Sequence, residues 1–372
     1  MQYRPVVVVE NDPFPRLLQA FLDADDVPQR TSAIADFVAH DIPDYAGWLK
    51  QARARAAGLY PADVRLVETQ DELRASLEHA DAVVAESLAV GPEELALAGR
   101  LRAVHKYGTV LRNIDTAACA ARGVEVLTVR RRTNIACAEH AFALLLALSR
   151  KLVALDGRIS FEQLRAAGYA PGRYDTQHTP NSNWARVGGL RTLHGSTAGI
   201  LGLGEIGREI AVRASAFGME VIYHQRTRVP SSEESAFRAR YCPLDELLAR
   251  SDAVFVALPL NASTRGLIDG ARLAQMKPDA LLVNVSRAAI VERGALLEAL
   301  SSRQLGGLGL DTFYEEPGRA DDPLLALDNA IVTPRIAAQP RSNALTDLAD
   351  VMANLARVLA ADRYRSRHDA SR

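Results

Sequence analysis

Gly202, Gly204 and Gly207 are spaced G-x-G-x-x-G in the run Ser196 to Gly207. Glycine tolerates left-handed backbone and lets other groups approach the chain closely. Between a strand and a helix, this spacing cradles a pyrophosphate: the turn is tight, and the helix N-terminus offers free N–H groups and positive dipole. The context is present. Thr197 to Leu201 reads as a short apolar strand. Arg208 to Phe217 has helical spacing, with Ile210, Ala211, Ala214 and Phe217 on one face. Gly218 ends that helix, and Glu220 to Tyr223 reads as a second strand. This βαβ unit predicts a dinucleotide site, with Glu205 and Ile206 in the fingerprint turn beside the glycines.

The end of the second strand selects between nicotinamide cofactors. An acid there binds the ribose 2′-hydroxyl. The position 18 residues after Gly207 is Gln225, followed by Arg226, Thr227 and Arg228. A neutral residue removes repulsion toward a 2′-phosphate, and arginines pair with it. The reading favours NADP(H), with NAD(H) as the alternative.

These residues need a scaffold, and its elements alternate along the chain. Residues 1–130 carry strand patterns at Val6–Val9, Arg65–Glu68, Ala82–Ala85, Ala103–His105 and Val124–Leu127. Helical patterns lie between them, at Asp71–Leu77 and Pro92–Ala98, and one helix is expected from Trp48 to Ala57. Another is expected from Ala136 to Leu155, and residues 156–195 read as a long irregular loop, a lid or a dimer contact. From Ser196, six strands are expected: Thr197–Leu201, Val221–Tyr223, Ala253–Leu258, Leu281–Asn284, Gly307–Leu310 and Ile331–Thr333. A last amphipathic helix, Ala344 to Ala361, presents Leu345, Leu348, Met352, Leu355 and Leu359 on one face and is expected to pack on the first unit. The charged residues 362–372 are expected to fray. The fold class is α/β, with two doubly wound parallel sheets. The domains are 1–130 with 334–372, and, inserted between them, the dinucleotide-binding 131–333.

Composition narrows the function. The chain has 372 residues, enough for two domains, and a net charge of −1. Nothing in that charge suggests nucleic acid or an anionic membrane. Cys119, Cys137 and Cys242 are odd in number, without metal spacing, and read as buried thiols in a reducing compartment. No metal is expected. The run Val6–Val9 is too short for a signal-peptide core, and Ala141–Leu148 too short to span a bilayer. The expected location is the cytoplasm.

Further motifs follow the fingerprint. They are Leu282-Val-Asn-Val-Ser-Arg287, Leu308-Gly-Leu-Asp311-Thr-Phe-Tyr-Glu-Glu316-Pro317 and Asn329-Ala-Ile-Val-Thr-Pro334-Arg335-Ile336. Others are Lys106-Tyr-Gly, Asn113-Ile-Asp115, Asn134-Ile-Ala-Cys-Ala-Glu-His140, Val256-Ala-Leu-Pro-Leu and Thr264-Arg-Gly-Leu-Ile-Asp. In this order they resemble the D-isomer-specific 2-hydroxyacid dehydrogenases, over most of the chain. The resemblance implies hydride transfer between a nicotinamide and a small 2-keto or 2-hydroxy acid, in a homodimer. It makes Arg287 the catalytic arginine, whose fork suits bidentate carboxylate binding and polarisation of the carbonyl. It makes Glu316 the acid that orients the catalytic group, sets Asp311 near the nicotinamide carboxamide, and sets Leu258 and Pro259 beside the cofactor. Ser87, Gly108, Thr109 and Val110 correspond to the substrate-binding side.

The chain departs from the family where chemistry matters most. The family's general acid is the histidine of Thr-Pro-His, and this chain has Arg335 there. No histidine lies between His224 and His368. An arginine stays protonated, so it stabilises a forming alkoxide as a fixed charge without donating a proton to it. Val110 replaces a loop glycine, Arg112 an acid, Ala288 a glycine, and Ala337-Ala338 a Gly-Gly pair. His105 and Tyr107 flank the substrate loop as alternative acids, while His140 reads as structural. His178 and Trp184 fall in the long loop. Two rival readings remain: a lyase-type enzyme on this scaffold, and a non-catalytic NAD(P)H sensor.

Overall fold

The structure, a computed structural model, describes residues 3–25 and 27–369, with side chains through Ala360. The chain divides into two units, Met1–Asn134 with Ala338–Arg372, and Ile135–Ala337.

The first unit is built on five parallel strands: β1 (Val6–Glu10), β2 (Asp63–Val67), β3 (Ala82–Ala85), β4 (Ala103–Lys106) and β5 (Glu125–Thr128). Their order is β2-β1-β3-β4-β5. Strands covered on both faces read as continuous apolar runs, as Val6-Val-Val-Val does. The final helix, Arg341–Asp369, buries Leu345, Leu348, Met352, Leu355 and Leu359 in the same core as Val7 and Val9. It starts before the expected Ala344. The side chains of the charged tail expected to fray lie outside the described residues.

The second unit holds seven parallel strands, not six: β6 (Thr197–Leu201), β7 (Glu220–His224), β8 (Ala239–Tyr241), β9 (Ala253–Val256), β10 (Leu281–Asn284), β11 (Gly307–Leu310) and β12 (Ala330–Val332). The order is β12-β11-β10-β9-β6-β7-β8. The unexpected edge strand β8 is only Ala-Arg-Tyr, too short to show a period. The order reverses between β6 and β9, and ligands of such sheets bind outside the strand C-termini at that reversal. The expected helix from Ala136 to Leu155 is two helices, Arg132–Ser149 and Leu152–Leu155, broken at Lys151, whose φ is 53°. The 156–195 segment is irregular apart from the helix Phe161–Ala166. Trp184 packs on Phe161 with ring centroids 5.2 Å apart, and His178 Nδ1 lies 2.6 Å from Asp175 Oδ2.

His105 is not a replacement acid. It is fully buried on β4; its Nδ1 lies 2.9 Å from the Lys106 carbonyl and its Nε2 3.2 Å from Asn354 Nδ2. Nδ1–H therefore donates to the carbonyl and Nε2 accepts from the amide. Burial pushes its pKa down to about 4, so the ring is neutral. The unfolded chain, with an ordinary histidine, binds the proton first as pH falls. Stability is thus full above about 6.5 and declines as pH drops toward 4, by on the order of 3 kcal/mol. Urea melts at several pH values should show that slope in the wild type and a shallower one in His105→Gln. Equal slopes would remove His105 as the cause.

Candidate functional site

The fingerprint turn has the shape a dinucleotide needs. Gly202 has φ +96°, and a Cβ there would lie 2.7 Å from the Ala257 carbonyl oxygen. A Cβ at Gly207 would lie 1.9 Å from the Gly202 oxygen, so the helix Glu205–Ala216 can approach β6 only without one. Gly204 caps that helix, and a Cβ there would meet nothing within 4 Å. The space above Gly204 is open, at the N-terminus of a twelve-residue helix. These residues fit a pyrophosphate. Gly207→Ala should weaken nicotinamide nucleotide binding at least about tenfold. Nucleotide fluorescence titration tests it, and wild-type affinity would refute this reading of the turn.

The turn after β7 is tied to the fingerprint. Gln225 Oε1 accepts from the Leu203 N–H at 3.0 Å, and Gln225 Nε2 donates to the Thr227 carbonyl at 2.6 Å. Arg228 is committed elsewhere: its Nε and Nη2 bond both oxygens of Glu234, at 2.8 and 2.7 Å. The Arg228 hydrogen bonds outweigh burial and, with the Tyr223 hydroxyl, hold Glu234 near pKa 2. Arg226 is exposed and has no hydrogen bond or ion pair among the described residues. The expectation that both arginines are available for a phosphate therefore narrows to Arg226. Leu258 and Pro259 follow β9, Leu258 half-buried and Pro259 exposed.

At the C-terminal ends of β10, β11 and β12 the structure gathers Arg287, Glu316, Asp311 and Arg335. Asn284, wholly buried at the end of β10, holds the arginine turn: its Oδ1 accepts from the Ser286 N–H at 2.9 Å and its Nδ2 donates to the Arg287 carbonyl at 3.0 Å. Arg287 is itself exposed, with Nη1 2.9 Å from the Ser286 carbonyl. Glu316 Oε1 accepts from the Phe313 N–H at 3.0 Å, and Oε2 accepts from Arg335 Nη1 at 2.5 Å. Burial opposes ionisation of Glu316. The Phe313 N–H, the bonded Arg335 and the charge of Arg287 outweigh it and hold the carboxyl below its usual range.

The loop carrying Arg335 hangs on Asp311. The Asp311 carbonyl accepts from the Arg335 N–H at 2.8 Å. Its carboxylate accepts from the Thr333 hydroxyl at 2.6 Å and the N–H groups of Ile336 and Ala337 at 2.9 and 2.8 Å. His140 Nε2 lies 2.9 Å from Thr333 Oγ1 and 3.4 Å from Asp311 Oδ1. Burial raises the pKa of Asp311, but the hydrogen bonds from His140, Thr333, Ala337 and Ile336 outweigh it. Arg335 has φ 57°, a left-handed conformation imposed by this clamp. Asn284 and Thr333 escaped assignment from sequence, and His140, read there as structural, holds the clamp together. The signal for Asn284 was a polar residue closing a buried apolar strand just before an arginine.

In the first unit, Glu10 closes β1 and holds the loop after β3. Its carboxylate accepts from the N–H groups of Glu86, Ser87 and Leu88 at 2.6, 2.8 and 3.0 Å and from the Ser87 hydroxyl. Burial opposes ionisation of Glu10, but these bonds, the Ser87 hydroxyl first, keep its carboxyl below the usual range. Gly108 follows β4 with φ +144°, and its carbonyl accepts from the Val129 N–H at 3.1 Å. Thr109 is exposed, Val110 half-buried and Tyr107 buried. Ser87 and Gly108–Val110 thus both follow C-terminal strand ends of the first sheet.

An open Rossmann sheet with a phosphate-binding turn and an arginine–glutamate cluster at its strand ends defines a nucleotide-dependent α/β enzyme. Residues 142–337 match the model for the D-isomer specific 2-hydroxyacid dehydrogenase NAD binding domain. A glyoxylate reductase of Pyrococcus furiosus is 37% identical over 269 residues, 72% of this chain and 76% of that protein. A D-3-phosphoglycerate dehydrogenase of Mycobacterium bovis is 35% identical over 77% of this chain, which spans only 52% of that relative. A crystal structure of a Pyrococcus horikoshii OT3 protein is similar with TM-score 0.56 at 25% identity, covering 96% of this chain and 92% of that one. The chain belongs to the D-isomer specific 2-hydroxyacid dehydrogenase family. It is an oxidoreductase with a nicotinamide cofactor, and the lyase and sensor readings give way to that one. Among the described residues no helix is long and apolar enough to cross a membrane, and no group of three or more His, Cys, Asp or Glu side chains is placed to hold a metal ion.

Proposed function

We propose that this enzyme reduces a small 2-keto acid to the 2-hydroxy acid, with NADPH as the preferred donor. The observation that carries the reading is the pairing of Glu316 with Arg335 beside Arg287. When bound, the nicotinamide supplies hydride to the carbonyl carbon. Arg287 takes the substrate carboxylate in a bidentate grip and polarises the carbonyl. Glu316 holds Arg335, whose charge stabilises the oxygen as it becomes an alkoxide. Arg335 keeps its own protons, so water protonates that oxygen. Within the first unit, the family resemblance assigns substrate binding to Ser87 and Gly108–Val110. The names of the relatives, glyoxylate reductase among them, support a short acid as substrate.

Loss of NADPH or NADH absorbance with glyoxylate, hydroxypyruvate, pyruvate and bulkier keto acids tests this. Saturable oxidation with one acid is expected. Nucleotide binding without oxidation of any acid would overturn it. The cofactor preference rests on Gln225 and the unpaired Arg226. Arg226→Gln should lower kcat/KM for NADPH about tenfold or more, with NADH little changed, since a charged hydrogen bond contributes roughly 1.5–3 kcal/mol. Equal losses with both cofactors would refute the assignment. The three cysteines are buried and form no disulfide among the described residues, which fits a reducing cytoplasm. The family resemblance supports a homodimer, which multi-angle light scattering of the purified chain would test.

A further inference from the structure

His140 reaches the site because two glycines let its helix settle on β11. A Cβ at Gly307 would lie 3.1 Å from Leu148 Cδ2, and a Cβ at Gly309 would lie 2.8 Å from Leu144 Cβ. The helix Arg132–Ser149 thus sits closer to the strand than a side chain at either position would allow. Its residues 148, 144 and 140 step by four, about 6 Å along a helix. Residues 307, 309 and 311 step by two, about 6.6 Å along a strand. The two periods nearly match. After Leu148 on Gly307 and Leu144 on Gly309, the next contact is His140 on Asp311. His140 Nε2 lies 3.4 Å from Asp311 Oδ1 and 2.9 Å from Thr333 Oγ1.

The hydrogen bonds fix which ring nitrogen carries the proton. Burial opposes ionisation of Asp311, but the bonds from His140, Thr333, Ala337 and Ile336 outweigh it, so the carboxylate only accepts. The Thr333 hydroxyl has one proton and gives it to Asp311 Oδ1 at 2.6 Å. Its oxygen is left to accept from His140. Nε2 faces two acceptors and is therefore N–H, which leaves Nδ1 bare in the neutral ring. The donors run from His140 through Thr333 to Asp311. Asp311 in turn takes the Arg335 N–H on its carbonyl and the Ile336 and Ala337 N–H groups on its carboxylate. Arg335 has φ 57°, a conformation that a non-glycine residue keeps only where its surroundings hold it.

We propose that His140, as the Nε2–H tautomer, is a positioning residue for keto-acid reduction: it donates to Thr333, steadies Asp311 and so holds Arg335 against Glu316. The proposal rests on the reading of Arg335 as the charge that meets the forming alkoxide. That charge acts only as the oxygen becomes an alkoxide, so a loosened Arg335 costs kcat. Arg287 keeps its grip on the substrate carboxylate, because Asn284 holds the Arg287 turn separately, and KM is spared.

Three variants test it. His140→Leu removes the donor. His140→Gln keeps one, since its amide nitrogen is as many bonds from Cβ as histidine Nε2. Thr333→Val cuts the chain one step further on. Nitrogen NMR of ring-labelled histidine, assigned by the signals missing from His140→Gln, should show Nε2 protonated, and a ring protonated at Nδ1 alone would overturn the proposal. Deuterium uptake at the amides of Arg335, Ile336 and Ala337 should be at least about fivefold faster in His140→Leu and close to wild type in His140→Gln. Unchanged uptake in His140→Leu would sink the clamp. Kinetics use NADPH and whichever of glyoxylate, hydroxypyruvate and pyruvate turns over fastest. His140→Leu should lower kcat at least about tenfold, with the keto-acid KM within about twofold, and His140→Gln should recover most of the loss. Glutamine as poor as leucine would reduce His140 to packing. The double variant His140→Leu with Thr333→Val should lose no more than either single one, because both cut one chain, and additive losses would also overturn the proposal. If His140→Leu does not fold, Thr333→Val carries the same exchange and rate predictions. Tautomer and exchange need no turnover. They judge the clamp even if the wild type reduces none of these acids, an outcome that would sink the functional reading instead.

Discussion

Arg335→His should speed keto-acid reduction and make it pH-dependent. The proposed mechanism puts Arg335, bonded to Glu316, at the position of the family's general acid. As a guanidinium it contributes charge at every working pH and no proton. A histidine there contributes a proton to the alkoxide, and general acid catalysis is typically worth 10²–10⁴-fold. The site can accept the change. Arg335 has φ 57°, and histidine is among the residues that tolerate left-handed backbone. Glu316 stays in place through the Phe313 N–H, 3.0 Å from Oε1. A carboxylate partner favours the imidazolium and raises its pKa above the free value. The variant's reduction rate should therefore be highest at low pH and fall as pH rises through that pKa. The wild type should show no such limb from this position. Steady-state rates from pH 5 to 9 in both proteins decide the matter. If turnover and pH profile are unchanged in the variant, the role given to Arg335 is wrong.

The elements that position this chemistry were legible where long apolar runs or punctuating glycines marked them. Val6-Val-Val-Val, Ala253-Val-Phe-Val and the Gly202–Gly207 turn announced their strands and their loop. The edge strand Ala239–Tyr241 did not, because three residues hold no period and its partner β7 supplies the pairing. The break at Lys151 was hidden because lysine is a good helix former. At the site, type and spacing pointed to Arg287, Glu316 and Arg335. The clamp behind them was invisible, since His140, Asp311 and Thr333 are far apart in sequence and meet only where the helix Arg132–Ser149 reaches the ends of β11 and β12. His105 misled for the complementary reason. A histidine beside a functional loop looks like an acid until β4, covered on both faces, buries it.

Arg287→Lys should lower kcat/KM by roughly 10²–10³, the usual loss on removing one preorganised donor to a developing charge. The substitution keeps the charge and removes the fork. Lysine offers a single ammonium, so it cannot hold a carboxylate through two parallel bonds and reach the adjacent carbonyl. The turn itself should survive, because Asn284 bonds the backbone of Ser286 and Arg287 and not the guanidinium. Nicotinamide nucleotide affinity should thus be unchanged, which separates a lost substrate contact from a collapsed site. Arg287→Ala should lose more still, and added guanidinium ion should restore part of its turnover by refilling the space with the missing group. Rescue by guanidinium but not by an alkylammonium of similar size would show that the planar fork carries the effect. Near-wild-type kinetics in Arg287→Lys would move substrate binding to another residue and leave Arg287 an exposed charge after a strand.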